Sequence, residues 1–412
     1  KIGSQAQLRG CTICGSVNVG IQAQIYEKSV IGDRTMIGEK AIIKPSIKIW
    51  PAKTVEGGAI VTANLVWGSR TNRSLFGERG ISGEINVDVT PEFASRLGTA
   101  FGAMMGANTS ISVSADDDMA IQMLKDALVA GLMSAGNTVV DFGQQMLPVT
   151  RLGIAFFALD GGVHFALCDD GKLCIDFLGS QGFNIARSME RKLENIFARE
   201  DFVRAEAEHI KAMRKIEEFW RYYVQIMSTV LGSYALKSKI ALHCKSQVVS
   251  KVLGAMAVIF GVHIITVDQA DALSAITRQE RCDAGILIAR NGENFRLFDE
   301  QGTEVSAQHT ELLLTNVMHK GLINEPLLLT SMSSQGSDQA TTSKTIRVKS
   351  AATDVMHEIL KHTKRPFVFS EQYVLRFDAA GALFKLLESM KTQQTTMSKW
   401  VQALGDVFKA HT

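Results

Sequence analysis

The sequence predicts two fold classes in one chain: a left-handed parallel β-helix over residues 1–73, followed by three mixed α/β units. Three observations carry this expectation. An aliphatic residue returns every six positions from Ile13 to Val61. After Ser69 that period gives way to strand-length apolar runs alternating with helical apolar stripes. The chain of 412 residues, with 46% hydrophobic and 21% charged side chains, also has the size for several domains and the balance of an ordinary globular protein.

The six-residue series is Ile13, Val19, Ile25, Ile31, Ile37, Ile43, Ile49, Val55 and Val61. Small residues favour the position four further on, at Ala23, Ser29, Thr35, Ala41 and Ala59, and glycine follows the aliphatic residue at Gly20, Gly32 and Gly38. Ile2 and Leu8 keep the spacing but lie one residue out of register, which predicts a slip near Cys11. A plain strand has period two and would not sustain period six. The pattern resembles the hexapeptide repeat of left-handed β-helices. There, three six-residue strands complete one coil, the aliphatic residue points inward, small residues fit near the corners and glycine takes up the turn conformations. Many such helices are acyltransferases that use a loop histidine as base. Here all nine histidines lie at or beyond His164, so that chemistry is not expected. Cys11 and Cys14 have no second pair at a suitable spacing, so no zinc site is expected either. The chain opens inside a repeat at Lys1-Ile2-Gly3, and an upstream segment is expected to precede it.

The α/β part is read element by element. Pro91–Gly106 is a helix with Thr90 as N-cap and Pro91 in its first turn. Residues 117–135 form the next, with Ile121, Leu124, Leu128 and Leu132 at helical spacing and Gly136 as its stop. Strands are expected at 138–143 and 162–166, and a long charged helix at 186–231. A second unit starts near Leu236: strand 239–243, helix 247–260, strands 262–267 and 284–289, a hairpin over 295–304 and helix 306–319. A third opens with strand 326–330. A loop rich in Ser, Thr and Gln follows over 331–345, then strand 345–349, helix 351–361, strand 367–369 and helices 378–390 and 396–410. The domain boundaries are therefore set at 1–73, 74–233, 234–322 and 323–412. Such alternation implies mixed sheets covered by helices.

Charge and composition exclude several functions. The net charge is +2, yet residues 1–74 hold ten Lys/Arg against four Asp/Glu. These cations are scattered singly among few aromatics, so no nucleic-acid surface is expected. There is no apolar run of about 18 residues and no signal-peptide pattern, so neither a membrane span nor secretion is expected. Six cysteines in so long a chain are too few for a disulfide framework, which predicts a cytoplasmic location.

Beyond residue 75 the motifs resemble those of the α-D-phosphohexomutases, the phosphomannomutase and phosphoglucomutase family. They are Phe76-Gly77-x-x-Gly80-Ile81-x-Gly83, Val89-Thr90-Pro91-Glu92, Ala130-Gly131-Leu132-x-x-x-Gly136, Val139-x-Asp141-x-Gly143 with Pro148, and Gly161-Gly162-Val163. Asp283-x-Gly285-Ile286 and Asp299-Glu300-x-Gly302 continue the order. The resemblance implies four domains: a phosphoserine loop, a Mg²⁺ loop of alternating carboxylates, a sugar-recognition loop and a phosphate clamp. In this chain the phosphoserine position falls on Cys168, followed by Asp169. The metal loop becomes Ala289-Arg290-Asn291-Gly292-Glu293-Asn294, and the sugar loop keeps only Glu371. The fourth domain is absent from the expected arrangement. Carboxylates beside Cys168 would repel an incoming phosphate, and a hard divalent cation needs more carboxylates than the 289–294 run offers.

A β-helix joined to a mutase-like region is similar to the C-terminal part of sugar-phosphate nucleotidyltransferases of the mannose-1-phosphate guanylyltransferase type. The expectation that follows is a non-catalytic oligomerisation and regulatory region, with the nucleotidyltransferase domain upstream. No catalytic residue and no metal ligand are expected. Arg290, Arg347 and Glu371 are the candidate sugar-phosphate-binding residues. The expected partners are further copies of the chain, the upstream domain, and a hexose phosphate or nucleotide sugar. No cofactor is expected, with Mg²⁺ required only under the alternative reading. That alternative is an active phosphomannomutase or phosphoglucomutase using Cys168; a purely structural scaffold is the other.

Overall fold

In a computed structural model, all residues are described except 63, 66–69, 72–74, 78, 169, 233–234, 322–325, 331–344, 350, 364–369 and 410–412. The expected 331–345 loop (but for Thr345), strand 367–369 and Asp169 thus lie outside the described residues.

The N-terminal region is built from very short strands: β1 (Gln7–Leu8), β2 (Thr12–Ile13), β3 (Asn18–Val19), β4 (Gln24–Ile25), β5 (Val30–Ile31), β6 (Met36–Ile37), β7 (Ile42–Ile43), β8 (Lys48–Ile49), β9 (Thr54–Val55), β10 (Ile60–Val61) and β11 (Arg70–Thr71). They form three parallel sheets, ordered β1-β4-β7-β10, β11-β9-β6-β3 and β2-β5-β8. Ile25 pairs with Ile43, three repeats on, whereas Leu8 pairs with Ile25 one residue short of that interval. The expected left-handed β-helix is corrected accordingly: three parallel sheets of two-residue strands are what the chain forms. A six-residue period decides which side chains turn inward. It sets neither strand length nor the hand of the path between strands. The inward set packs into one core, with Ile25, Ile31 and Ile43 fully buried and the small residues Ala23, Ser29, Thr35 and Ala41 sealed beside them.

The corners overturn a second expectation. From Gly10 on, the residues of this region with left-handed backbone are Gly10, Ser16, Gln22, Lys28, Arg34, Lys40, Ser46, Ala52 and Gly58, one every six positions. Seven of these carry a side chain, at a cost of about 1–2 kcal/mol each relative to glycine. Gly20, Gly32 and Gly38 are needed for another reason. A Cβ on Gly20 would come within 2.5 Å of the Glu39 amide, and one on Gly38 would overlap the backbone of Gly57. Glycine here lets neighbouring strands approach rather than turning the chain.

The first α/β unit contains β12 (Ile81–Gly83), α1 (Pro91–Met105), β13 (Ser110–Ala115), α2 (Met119–Ser134), β14 (Thr138–Gln144), α3 (Leu147–Phe156), β15 (Gly161–Leu167), β16 (Leu173–Gly179), α4 (Arg187–Arg199), β17 (Arg214–Lys215) and α5 (Trp220–Leu231). Its six strands are ordered β12-β16-β15-β13-β14-β17, and β16 is antiparallel to both its neighbours. The Thr90 hydroxyl accepts from the Phe93 amide at 3.3 Å and so starts α1 as expected. Gly98 and Gly131 let α1 and α2 cross in backbone contact. The expected helix over 186–231 is two helices. Glu200 closes α4 in a left-handed conformation and the chain runs extended after it. Charged residues favour helix by propensity, but α4 holds its place through Leu193, and 200–219 offers no comparable buried stripe until Phe219.

The remaining elements are β18 (Lys239–Cys244), α6 (Gln247–Phe260), β19 (His263–Thr266), α7 (Leu273–Gln279), β20 (Ala284–Ile288), β21 (Phe295–Phe298), α8 (Ala307–Gly321), β22 (Leu327–Thr330), β23 (Thr345–Val348), α9 (Ala352–His362), α10 (Glu371–Phe377), α11 (Ala379–Thr392) and α12 (Met397–Lys409). The second unit has the sheet β19-β18-β20-β21, and β22 pairs in parallel with β23. One apolar core runs from Phe142 and Tyr223 through Ile240 and Leu253 to Leu383 and Trp400. Inside it the Tyr223 hydroxyl donates to Asp378, at 2.8 and 2.6 Å to its two oxygens, while Asp378 also caps α11 by accepting from the Gly381 amide.

Two predictions follow from the packing. Gly38→Ala should lower stability by about 1–3 kcal/mol through overpacking, whereas Lys28→Gly should be neutral or stabilising by up to about 1 kcal/mol. Chemical denaturation compares them, and equal losses would contradict the corner assignment. Burial pushes the Asp378 carboxyl up to about 6. The folded state therefore binds this proton more tightly than the unfolded chain, and its contribution to stability is lost as pH rises from about 4 to about 6. Asp378→Asn should flatten that part of the stability–pH profile.

Candidate functional site

The chemistry-bearing residues gather where β13, the β15–β16 hairpin and the turn after β20 meet. At the end of β13, Asp116 and Asp117 take up the Arg290 guanidinium: Nε donates to Asp116 at 2.6 Å and Nη2 to Asp117 at 3.2 Å. The Asp117 carboxylate also accepts from the Gln247 amide at the start of α6, at 2.7 Å. Burial, with Asp117 alongside, lifts the Asp116 carboxyl to about 6. Burial acts upward on Asp117 too, but the hydrogen bonds from Asp116 and Gln247 and the Arg290 charge outweigh it and hold that carboxyl low.

A second cluster lies deeper. Arg151, on α3, is fully buried; its Nε donates to Glu293 at 2.6 Å, Nη1 to the Gly182 carbonyl at 2.6 Å and Nη2 to Asn184 at 2.7 Å. The Arg79 Nε donates to Asp176 at 2.8 Å and its Nη2 to the other Glu293 oxygen. Beside them His164 holds the Ser114 hydroxyl at 2.8 Å, and burial drives its imidazole down to about 3, so it is neutral at ordinary pH. Burial raises Asp176, but the Arg79 charge and hydrogen bond outweigh it and hold the carboxylate ionised.

The backbone fixes the 289–294 turn against both neighbouring units. The Leu147 amide donates to the Asn291 carbonyl at 2.9 Å and the Ala379 amide to the Gly292 carbonyl at 3.0 Å. Gly292, at φ +79°, sits against Met146. A hard divalent cation takes six or more oxygen ligands. This turn supplies one carboxylate, Glu293, whose two oxygens are both taken by guanidiniums, and an Asn291 side-chain oxygen that accepts from the Glu293 amide at 3.0 Å. The residues present do not fit Mg²⁺.

The sequence-derived candidates are scattered among these parts. Cys168 follows β15 and forms a disulfide with Cys174 on β16, the one disulfide among the described residues. The Cys168 amide donates to the Lys172 carbonyl across the hairpin tip, and the Lys172 ammonium pairs with Asp170 at 2.5 Å. The expected repulsion by the acidic tip is thus partly offset. Arg290 is placed in the site, but bound to Asp116 and Asp117 rather than standing open. Arg347 is an exposed residue of β23, paired with Leu329, and Glu371 is the half-buried first residue of α10. Sequence reasoning missed Arg79, Arg151 and Asp176. Arg79 stands inside the Phe76–Gly83 motif, and the acidic run at 116–118 is the signal that Arg290 was spoken for. A cleft of about 370 Å³ lies alongside, bordered by Asp117, Gln145, Trp220, Gln247 and Lys251.

Comparison with known proteins relates the fold to that of phosphohexomutases. Residues 73–204 match the family model for phosphoglucomutase/phosphomannomutase, alpha/beta/alpha domain I. The chain is 31% identical over 171 residues to a phosphoglucomutase/phosphomannomutase of Thermococcus kodakarensis, covering 40% of this chain and 37% of the relative. It is 29% identical over 322 residues to the phosphoglucosamine mutase of Geobacter metallireducens, covering 70% and 71%. A Thermus thermophilus structure of the phosphomannomutase kind superposes with a TM-score of 0.66 at 14% identity, over 81% of this chain and 83% of that one. A phosphoglucomutase/phosphomannomutase family protein from Burkholderia thailandensis gives 0.59 at 13% identity, over 75% and 79%. At such identities these structures speak for the fold alone. The relatives are mutases. They overturn the expectation of a non-catalytic region belonging to a guanylyltransferase-type nucleotidyltransferase, and the mutase alternative fits better. Residues 73–204 are a phosphoglucomutase/phosphomannomutase-like α/β domain, in a chain whose mixed α/β units fold as those of phosphohexomutases do.

Proposed function

We propose that this chain is a phosphohexomutase-type phosphotransferase that moves a phosphoryl group between hydroxyls of a hexose or hexosamine phosphate. The observation that carries the reading is the match to phosphoglucosamine mutases over as much as 71% of the chain, together with the domain I match that includes Cys168. The Cys168 thiolate is the candidate phosphoryl carrier. An S–P bond forms as the sugar P–O bond breaks, and the proton released by the thiol ends on the sugar oxygen. The bridge to Cys174 must first be opened by a dithiol, which is itself oxidised to a disulfide while both cysteines gain protons. Lys172, whose carbonyl accepts from the Cys168 amide, supplies a cation on the hairpin tip. Phosphohexomutases normally use Mg²⁺, and no step here is assigned to it because the 289–294 turn does not offer the donors.

Two coarser features accompany the proposal. Among the described residues no helix is long and apolar enough to cross a membrane, and a cytoplasmic setting suits a dithiol-dependent carrier. Self-association is proposed through the N-terminal sheets, where Met36, Trp50 and Ile60 are exposed; light scattering on the Trp50→Ser variant tests it, and unchanged mass would refute it.

The activity test is interconversion of the 1- and 6-phosphates of glucosamine, glucose and mannose with a hexose bisphosphate activator, before and after dithiothreitol. Turnover of at least one sugar should appear on reduction. Cys168→Ala should lower it about 100-fold or more, and Cys174→Ala should be active without reductant. No turnover after reduction, or full activity in Cys168→Ala, would sink the proposal.

A further inference from the structure

We infer that the 289–294 turn is a closed, cation-free clasp, in which the Arg79 and Arg151 guanidiniums permanently hold the charge of Glu293. Two guanidiniums face two carboxylates, Asp176 and Glu293, so the cluster is already neutral. The Arg151 and Glu293 side chains are both fully buried. A divalent ion entering here would add two uncompensated charges to a low-dielectric site, which is strongly unfavourable. It could be admitted only by displacing a guanidinium from Glu293. Arg151 is held by Gly182 and Asn184 as well, and moving it would leave those acceptors and its own charge without partners.

The rest of the turn closes the alternatives. Ala289 has no side-chain donor atom and its carbonyl accepts from the Gly292 amide, the Asn291 side chain is engaged by the Glu293 amide, and the Asn291 and Gly292 carbonyls are engaged by Leu147 and Ala379. Arg290 projects its own positive charge onto Asp116 and Asp117, so these carboxylates are engaged as well. Arginine suits this role because its planar fork satisfies several acceptors at once. The clasp joins the first unit to the second through Arg79, Arg151 and Glu293, and the turn reaches the third through Ala379. It is a positioning device, and it stands whether or not the mutase reading holds.

The test reads metal binding and stability rather than turnover. In a Mn²⁺ titration followed by electron paramagnetic resonance, the full chain should show no saturable site involving Glu293 up to millimolar ion. EDTA should leave the melting temperature unchanged. Arg79→Gln, at a partly exposed position, should lower melting by several degrees, and Glu293→Gln should lower it by more, because it takes the carboxylate from both Arg79 and the fully buried Arg151. One equivalent of Mn²⁺ bound by the chain and lost in Glu293→Gln would overturn the inference. So would an Arg79→Gln variant that melts like the parent.

Discussion

The buried pair between Arg151 and Glu293 is the interaction on which the arrangement of the α/β units depends. Neither side chain is exposed, and removing one member of such a pair typically costs about 3–5 kcal/mol because the other is left charged in the interior. Arg151 reaches from α3 to the loop that follows β16 in its own unit through Gly182 and Asn184, and Glu293 belongs to the second unit. Everything around the turn is arranged to keep this pair dry: Gly292 against Met146, Tyr373 and Asp378 behind it, and the Arg79 guanidinium over its open side.

Catalytic potential and structural order draw on the same residues in this fold. A turn whose one carboxylate is held by two guanidiniums offers fixed charge rather than an exchangeable ion. It makes a rigid junction between units. Phosphoryl transfer is stabilised by positive charge aimed at the phosphoryl oxygens. The exposed cation at the hairpin tip is Lys172, which is paired with Asp170.

Periodicity made the outline legible, and long-range contact decided the rest. The six-residue series marked the buried set of the N-terminal region because inward orientation depends only on position within each repeat. Thr90 and Pro91 marked the start of α1 because caps are local. Arg79 and Glu293, by contrast, are 214 positions apart, and nothing in the spacing of either points to the other. The alignment of Arg290 with a metal loop identified its neighbourhood, but its partners, Asp116 and Asp117, come from another unit. The helix over 186–231 failed for a related reason: composition reports propensity, and the break at Glu200 reflects where tertiary packing ends. Glycines were assigned to corners by chemistry that is sound in general, while here they serve contacts between strands that only the assembled sheets reveal.

Those corners carry a consequence for how this region can change in length. Left-handed residues recur at every sixth position from Gly10 to Gly58, and each strand bonds to the one three repeats on. An insertion or loss of one or two residues moves a strained corner onto a strand and turns the aliphatic series outward. Removal of three whole repeats deletes one strand from each sheet and leaves every remaining pairing intact. Length between Gly10 and Gly58 is therefore quantised, and the shorter intervals, 17 positions from Leu8 to Ile25 and 16 from Val55 to Thr71, lie at the two ends, where few layers depend on them.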